Sequence, residues 1–172
     1  MRLPLIIFFL TLFIAETSHG QCDYKLDSQK IVTHRNLDAL LNLVETTKLV
    51  TKNNKNFIPF FIIQQINCWL TKTEIVDSFT IANPKEPYNN TDLIITGLPD
   101  RQLVYLGVSK NLLLLTYHYG AGAGTHNIMI VKFTGSKILD FWVGQAAKLK
   151  SKKAVLTWLR KYKHENEVEL II

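Results

Sequence analysis

Leu112-Leu-Leu-Leu-Thr-Tyr-His-Tyr119, Gly120-Ala-Gly-Ala-Gly124 and Thr125-His-Asn-Ile-Met-Ile-Val-Lys-Phe133 form the stretch that decides the fold. Two short apolar and aromatic runs flank a glycine-rich turn, which is the pattern of a β-hairpin. Read as a symmetric five-residue loop, Gly120 to Gly124 pairs Tyr119 with Thr125 and sets His118 opposite His126. Directly opposed residues share one face of a sheet, with Cβ atoms about 4.5–5.5 Å apart. A slip of one residue would send the two imidazoles to opposite faces.

Outward from this hairpin the same short period continues. Leu93–Thr96, Gln102–Val108 and Lys137–Val143 read as strands, set off by the turn signals Gly97–Asp100, Ser109–Asn111 and Thr134–Ser136. Together these runs make an antiparallel meander of about five strands. A three-residue turn at Thr134–Ser136 pairs Phe133 with Lys137, which places His126 opposite Gly144 and Asp140 opposite Ile130.

Upstream of the meander the period is helical. Leu37, Leu40, Leu41 and Val44 give an amphipathic helix from Asn36, its expected cap, to about Lys48. Phe57–Leu70 is apolar almost all round with Pro59 in its first turn, and reads as a buried helix, with a strand as the alternative. Thr71-Lys-Thr-Glu74 is a capping-box pattern before a short further helix, and Ala82–Asp92 is a Pro- and Asn-rich loop. Downstream, Ser151 caps a helix whose buried stripe is Val155, Trp158, Leu159 and Tyr162, and Asn166–Ile172 can return as a last strand. Helices, then a meander, then a helix, describe an α+β domain.

Apolar residues make up 47% of the 172-residue chain, which excludes a disordered or collagen-like polymer. Met1 and Arg2 precede the 13-residue apolar run Leu3–Ala15, with Ser18 and Gly20 behind it. That run is shorter than the roughly 20 residues of a membrane span, and its flanks are those of a secretory signal peptide cut after Gly20. Residues 21–172 are then expected as a single soluble domain, secreted or periplasmic, with no further apolar run of membrane length. Export carries Cys22 and Cys68 where disulfides persist, so a bridge between them is the simplest account. Cys22 is not a lipidation site, because His19-Gly20-Gln21 lacks the Leu and small residues such a site needs. Asn89-Asn90-Thr91 is a glycosylation sequon that matters only in a host that glycosylates.

The net charge of +6 is local. Lys148, Lys150, Lys152, Lys153, Arg160, Lys161 and Lys163 place seven positive charges in sixteen residues without an acid, so the rest of the chain sums to −1. The bland interpretation is a surface helix with a solvated basic face. The sharper one is a patch for an anionic ligand or an acidic partner protein. Nucleic acid is not expected, because no recognition motif is present. A membrane-surface helix fits poorly, because its four-residue apolar stripe is claimed by the core.

The His118/His126 pair, rimmed by Gly120, Gly122 and Gly124, is a candidate ligand-binding site. Its bland counterpart is a tight turn with two histidines packed among Tyr117 and Tyr119. A metal is not expected, since a third ligand would have to come from Asp92, Asp100 or Glu86 in the loops. The GxGxG spacing joins strand to strand, so it is no nucleotide fingerprint, and no cofactor is expected.

Asn67-Cys68-Trp69 followed by His126-Asn-Ile-Met-Ile-Val resembles, over these few residues, the Cys-then-His order of the papain and transglutaminase-like superfamilies. The resemblance implies a thiol hydrolase with Cys68 as nucleophile, His126 as general base and Asp140 orienting the imidazole. A disulfide to Cys22 would consume that nucleophile. The favoured expectation is therefore a non-catalytic binding protein that uses the imidazole pair or the basic helix, with the hydrolase as the alternative.

Overall fold

A computed structural model describes residues 22–72, 78–91, 93–120 and 124–162. The segments read as a signal peptide, as a short helix after the Thr71–Glu74 pattern and as a last strand from Asn166, together with Asp92, Gly122 and Lys163, lie outside the described residues, at least in part.

The chain is an α+β domain. In order it forms α1 (Ser28–Val32), α2 (Leu37–Thr46), β1 (Val50–Thr51), a 3₁₀ turn (Lys55–Phe57), α3 (Phe60–Lys72), β2 (Ile81–Ala82), β3 (Arg101–Val108), β4 (Leu112–Tyr119), β5 (Thr125–Thr134), β6 (Lys137–Ala146) and α4 (Lys152–Tyr162). Antiparallel pairing runs β1-β3-β4-β5-β6, and β2 lies parallel to the start of β3. Strands β1 and β2 are two residues each, too short for any periodicity to announce them.

Residues Leu112–Tyr117 of β4 are all buried. A strand buried on both faces needs cover on both, and the helices divide accordingly. On the face of Thr116 and Trp142, the Thr116 hydroxyl donates to Leu149 O at 2.8 Å ahead of α4, and the Trp142 indole N–H meets His34 Nδ1, beyond α1, at 3.3 Å. The opposite face takes α3, through ring contacts of Trp69 with Phe141 at 4.8 Å and of Phe61 with Phe133 at 5.4 Å. Phe57–Leu70 thus resolves as a helix for most of its length, although Phe60 is exposed.

A strap before α1 ties the layers together. Cys22 is disulfide-bonded to Cys68 on α3, the Tyr24 backbone N–H donates to Gln65 Oε1 at 3.2 Å, and Tyr24 O accepts the Trp69 indole N–H at 2.9 Å. Beyond the strap, Lys30 Nζ meets Asp140 Oδ1 of edge strand β6 at 2.8 Å. Asn36 occupies the N-cap of α2 without a side-chain capping bond. Its amide reaches β6 instead, donating to Asp140 Oδ1 at 2.8 Å and Phe141 O at 3.0 Å.

Two expectations are corrected. Leu93–Thr96 is exposed loop, because the backbone there is organised around Asn89, whose side chain binds the Ile95 N–H and the carbonyls of Ile95 and Leu98. The β5–β6 register also differs. The turn is the two residues Gly135-Ser136, with Gly135 at φ 55°, and an irregularity between Lys132 and Phe133 adds a further shift. Asp140 therefore pairs with Lys132, and His126 with Ala146.

The disulfide closes a loop of roughly 47 residues, and chain entropy assigns it up to about 4 kcal/mol. Replacing both cysteines by Ser should lower the urea midpoint, followed by tryptophan fluorescence, by an equivalent of about 2–4 kcal/mol. An unchanged midpoint would show that the strap is held by Tyr24, Gln65 and Trp69 alone.

Candidate functional site

His118 and His126 face one another as the hairpin register requires, with ring centroids 4.7 Å apart and planes inclined by 59°. Gln102 of β3 and Ala146 of β6 complete the same row across the sheet. Tyr88, from the loop before β3, shares a hydrogen bond of 3.1 Å between its hydroxyl and His118 Nδ1. That loop is fixed to the sheet by the Gln102 amide donating to Glu86 O at 3.0 Å and by Asn89, which also donates to Asp100 Oδ1 at 2.8 Å.

The glycines have separate duties. Gly120 adopts φ 87°, a left-handed conformation that costs glycine nothing. Gly124 is required by close approach, since a Cβ there would lie 2.7 Å from both Cε1 and Nε2 of His118.

Burial holds the His118 imidazole below its ordinary pKa of 6.5, and the Lys148 ammonium pushes the same way. His126 is lowered by burial first, then by His118 and Lys148. Both shifts favour the neutral imidazole. His126 Nδ1 is buried without a hydrogen-bond partner among the described residues. Two of the loop carboxylates considered as third ligands are otherwise engaged: Asp100 by Asn89, and Glu86 by the Asn83 backbone and side chain and by Lys55. Among the described residues, no group of three or more His, Cys, Asp or Glu could hold a metal.

The basic segment divides into two populations. Lys152 Nζ donates to Glu45 O at 2.9 Å and Thr47 O at 2.8 Å, satisfying carbonyls at the C-terminal end of α2, and Arg160 is paired with Glu45. These two residues dock α4 on α2. Lys148, Lys150 and Lys153 are exposed, as is Lys161, whose ammonium lies 4.8 Å from the centre of the Tyr162 ring. Ser151 caps the helix by accepting from the Ala154 N–H. The expected stripe narrows to Val155 and Leu159, which are buried. Trp158 and Tyr162 are only partly buried, with rings 5.4 Å apart, and line an open groove of about 530 Å³ together with Leu149, Lys153 and Lys161.

Cys68, His126 and Asp140 are not brought together. Cys68 is bonded to Cys22 and lies in the second half of α3, away from the helix N-terminus that would lower a thiol pKa. Asp140, held by Lys30 and Asn36, pairs with Lys132, six residues along β5 from His126, or roughly 20 Å at strand rise.

Several features had no signal in the sequence. Arg101 is 1% exposed, with its guanidinium 4.7 Å from the Phe79 ring centre and 4.4 Å from that of Tyr119. Beside it, burial pushes the Tyr117 hydroxyl up to about 12. Asn89 of the sequon is buried with its amide fully used, so a glycan there is incompatible with this loop. The loop it organises presents Leu93, Ile94 and Ile95, which are 73%, 79% and 52% exposed. Comparison of the chain with family models, curated proteins and solved structures gives no match.

The imidazole pair makes stability depend on pH with a definite sign. Well above pH 6.5 folded and unfolded histidines are both neutral and the pair contributes no slope. Below it the unfolded chain binds protons that the folded pair resists, so stability falls until the folded pKa values are passed. Urea midpoints between pH 7.5 and 5 should decline less in a His118→Gln, His126→Gln variant than in the parent protein. Parallel profiles would place the acid sensitivity elsewhere.

Proposed function

We propose that this chain is an exported, non-catalytic binding protein for an acidic protein segment, which it takes on the outer face of α4. One observation carries this reading: the basic residues are split between docking and display. Lys152 and Arg160 are spent on α2, whereas Lys148, Lys150 and Lys153 remain exposed, and Lys153 lines a groove walled by Trp158 and Tyr162. Aromatic walls with a positive rim offer apolar contact to an inserted side chain and charge complementarity to the flanking acids. The concentration of excess charge in this one segment gives such a partner a single place to be drawn to.

Export rests on the N-terminal sequence, and the Cys22–Cys68 disulfide is compatible with it. Among the described residues, no helix is long and apolar enough to cross a membrane.

Binding to immobilised poly-glutamate, measured across a salt series, tests the proposal. The Lys148→Gln, Lys150→Gln, Lys153→Gln variant should lose about tenfold in affinity, roughly 1.4 kcal/mol, and most of its salt dependence. Lys152→Gln with Arg160→Gln should do the reverse, costing about 1–2 kcal/mol of stability while binding is retained. Equal weakening by both variants would mean that charge count, not the exposed face, governs association.

A further inference from the structure

We propose that His118 and His126 form a two-imidazole site for a first-row divalent cation of the copper or nickel class. The proposal is independent of the α4 groove. The two rings come from directly opposed positions on neighbouring strands, so the sheet ladder itself holds them, and their centroids are 4.7 Å apart. Two imidazole nitrogens bound to one ion at about 2.0 Å each lie roughly 3 Å from one another, a separation compatible with ring centroids 4.7 Å apart.

Around the pair, the features that orient a metal-binding histidine are in place. Tyr88 engages His118 Nδ1, leaving Nε2 as the ligating nitrogen, which is how an outer-shell partner sets ring orientation. The missing Cβ at Gly124 lets the His118 ring pack against the backbone there, where any other residue would push it aside. His126 Nδ1 is buried without a hydrogen-bond partner among the described residues, so binding an ion would cost that nitrogen no existing bond.

Asp100 and Glu86 are held by other partners, so two nitrogens are the protein's whole contribution among the described residues. Water or a ligand from a bound partner completes the coordination. Such an open, nitrogen-only site favours copper, then nickel, by the order of divalent affinities. Lys148 acts on both rings and opposes a cation. This separates the proposal from its closest rival, an anion site, for which Lys148 would be a helper.

The experiment titrates the untagged chain with Cu²⁺ and with Ni²⁺, reading affinity by calorimetry and position by paramagnetic broadening of the imidazole C–H resonances. One ion per chain is expected, with His118 and His126 broadened first. His118→Ala and His126→Ala should each weaken binding by more than the about 10–100-fold expected for Tyr88→Phe, which removes only the outer-shell partner. Lys148→Gln should tighten it. His118→Gln and His126→Gln serve if an Ala variant fails to fold, since they keep polarity and most of the volume. Unchanged affinity in the His118 and His126 variants, broadening centred on His34 or His164, or weaker binding in Lys148→Gln would each overturn the proposal.

Discussion

Everything in this domain follows from the burial of β4 on both sides. Six consecutive residues, Leu112–Tyr117, are buried, and no single layer of helices could achieve that. The chain meets the demand with α3 on one face and α1, α2 and α4 on the other. Because α3 and the α1–α2 pair sit on opposite faces yet are neighbours in sequence, the chain must pass an edge of the sheet. The Cys22 strap, anchored on α3 and continuing to β6 through Lys30 and Asn36, makes a second connection of this kind at the β6 edge. Removing buried apolar surface from water supplies the drive, and the strap and the docking bonds choose among the ways of doing so.

The same constraint positions the chemistry. Beyond Tyr117 burial lessens, and His118 and Tyr119 lie where the sheet gives way to loops. The imidazole pair therefore combines a rigid backbone with partial access to solvent. Burial lowers both pKa values, Tyr88 orients one ring, and Gly124 admits that ring against its backbone. Lys148, on the segment leading into α4, acts on both rings and so links the histidine end of the sheet to the basic helix.

Legibility varied with the range of the physics involved. The β4–β5 register was legible because a short symmetric loop determines it, and His118 meets His126 as that symmetry requires. The β5–β6 register was not, because an irregularity at Lys132/Phe133 has no marker in composition and moves every partner beyond it. Leu93–Thr96 has the composition of a strand but lies in exposed loop, where the side chain of Asn89 takes backbone bonds that a strand would have given to a neighbour. The α4 stripe was half legible: Val155 and Leu159 are core, whereas Trp158 and Tyr162 face a groove, a difference that helical period does not carry.

By itself the sequence determined the order of the longer helices and strands, the α+β class, the facing histidines and the residues available to form the disulfide. Each follows from local period, turn length or covalent pairing, and such properties survive without knowledge of the rest of the chain. Tertiary structure alone decided which face each helix covers, that Asp140 serves Lys30 and Asn36, and which lysines are structural and which are displayed. Those outcomes turn on contacts such as Arg160 with Glu45 and Lys152 with the end of α2, between residues more than a hundred positions apart. A side chain's role there is set by what the fold brings to it, and no window of neighbouring residues contains that information.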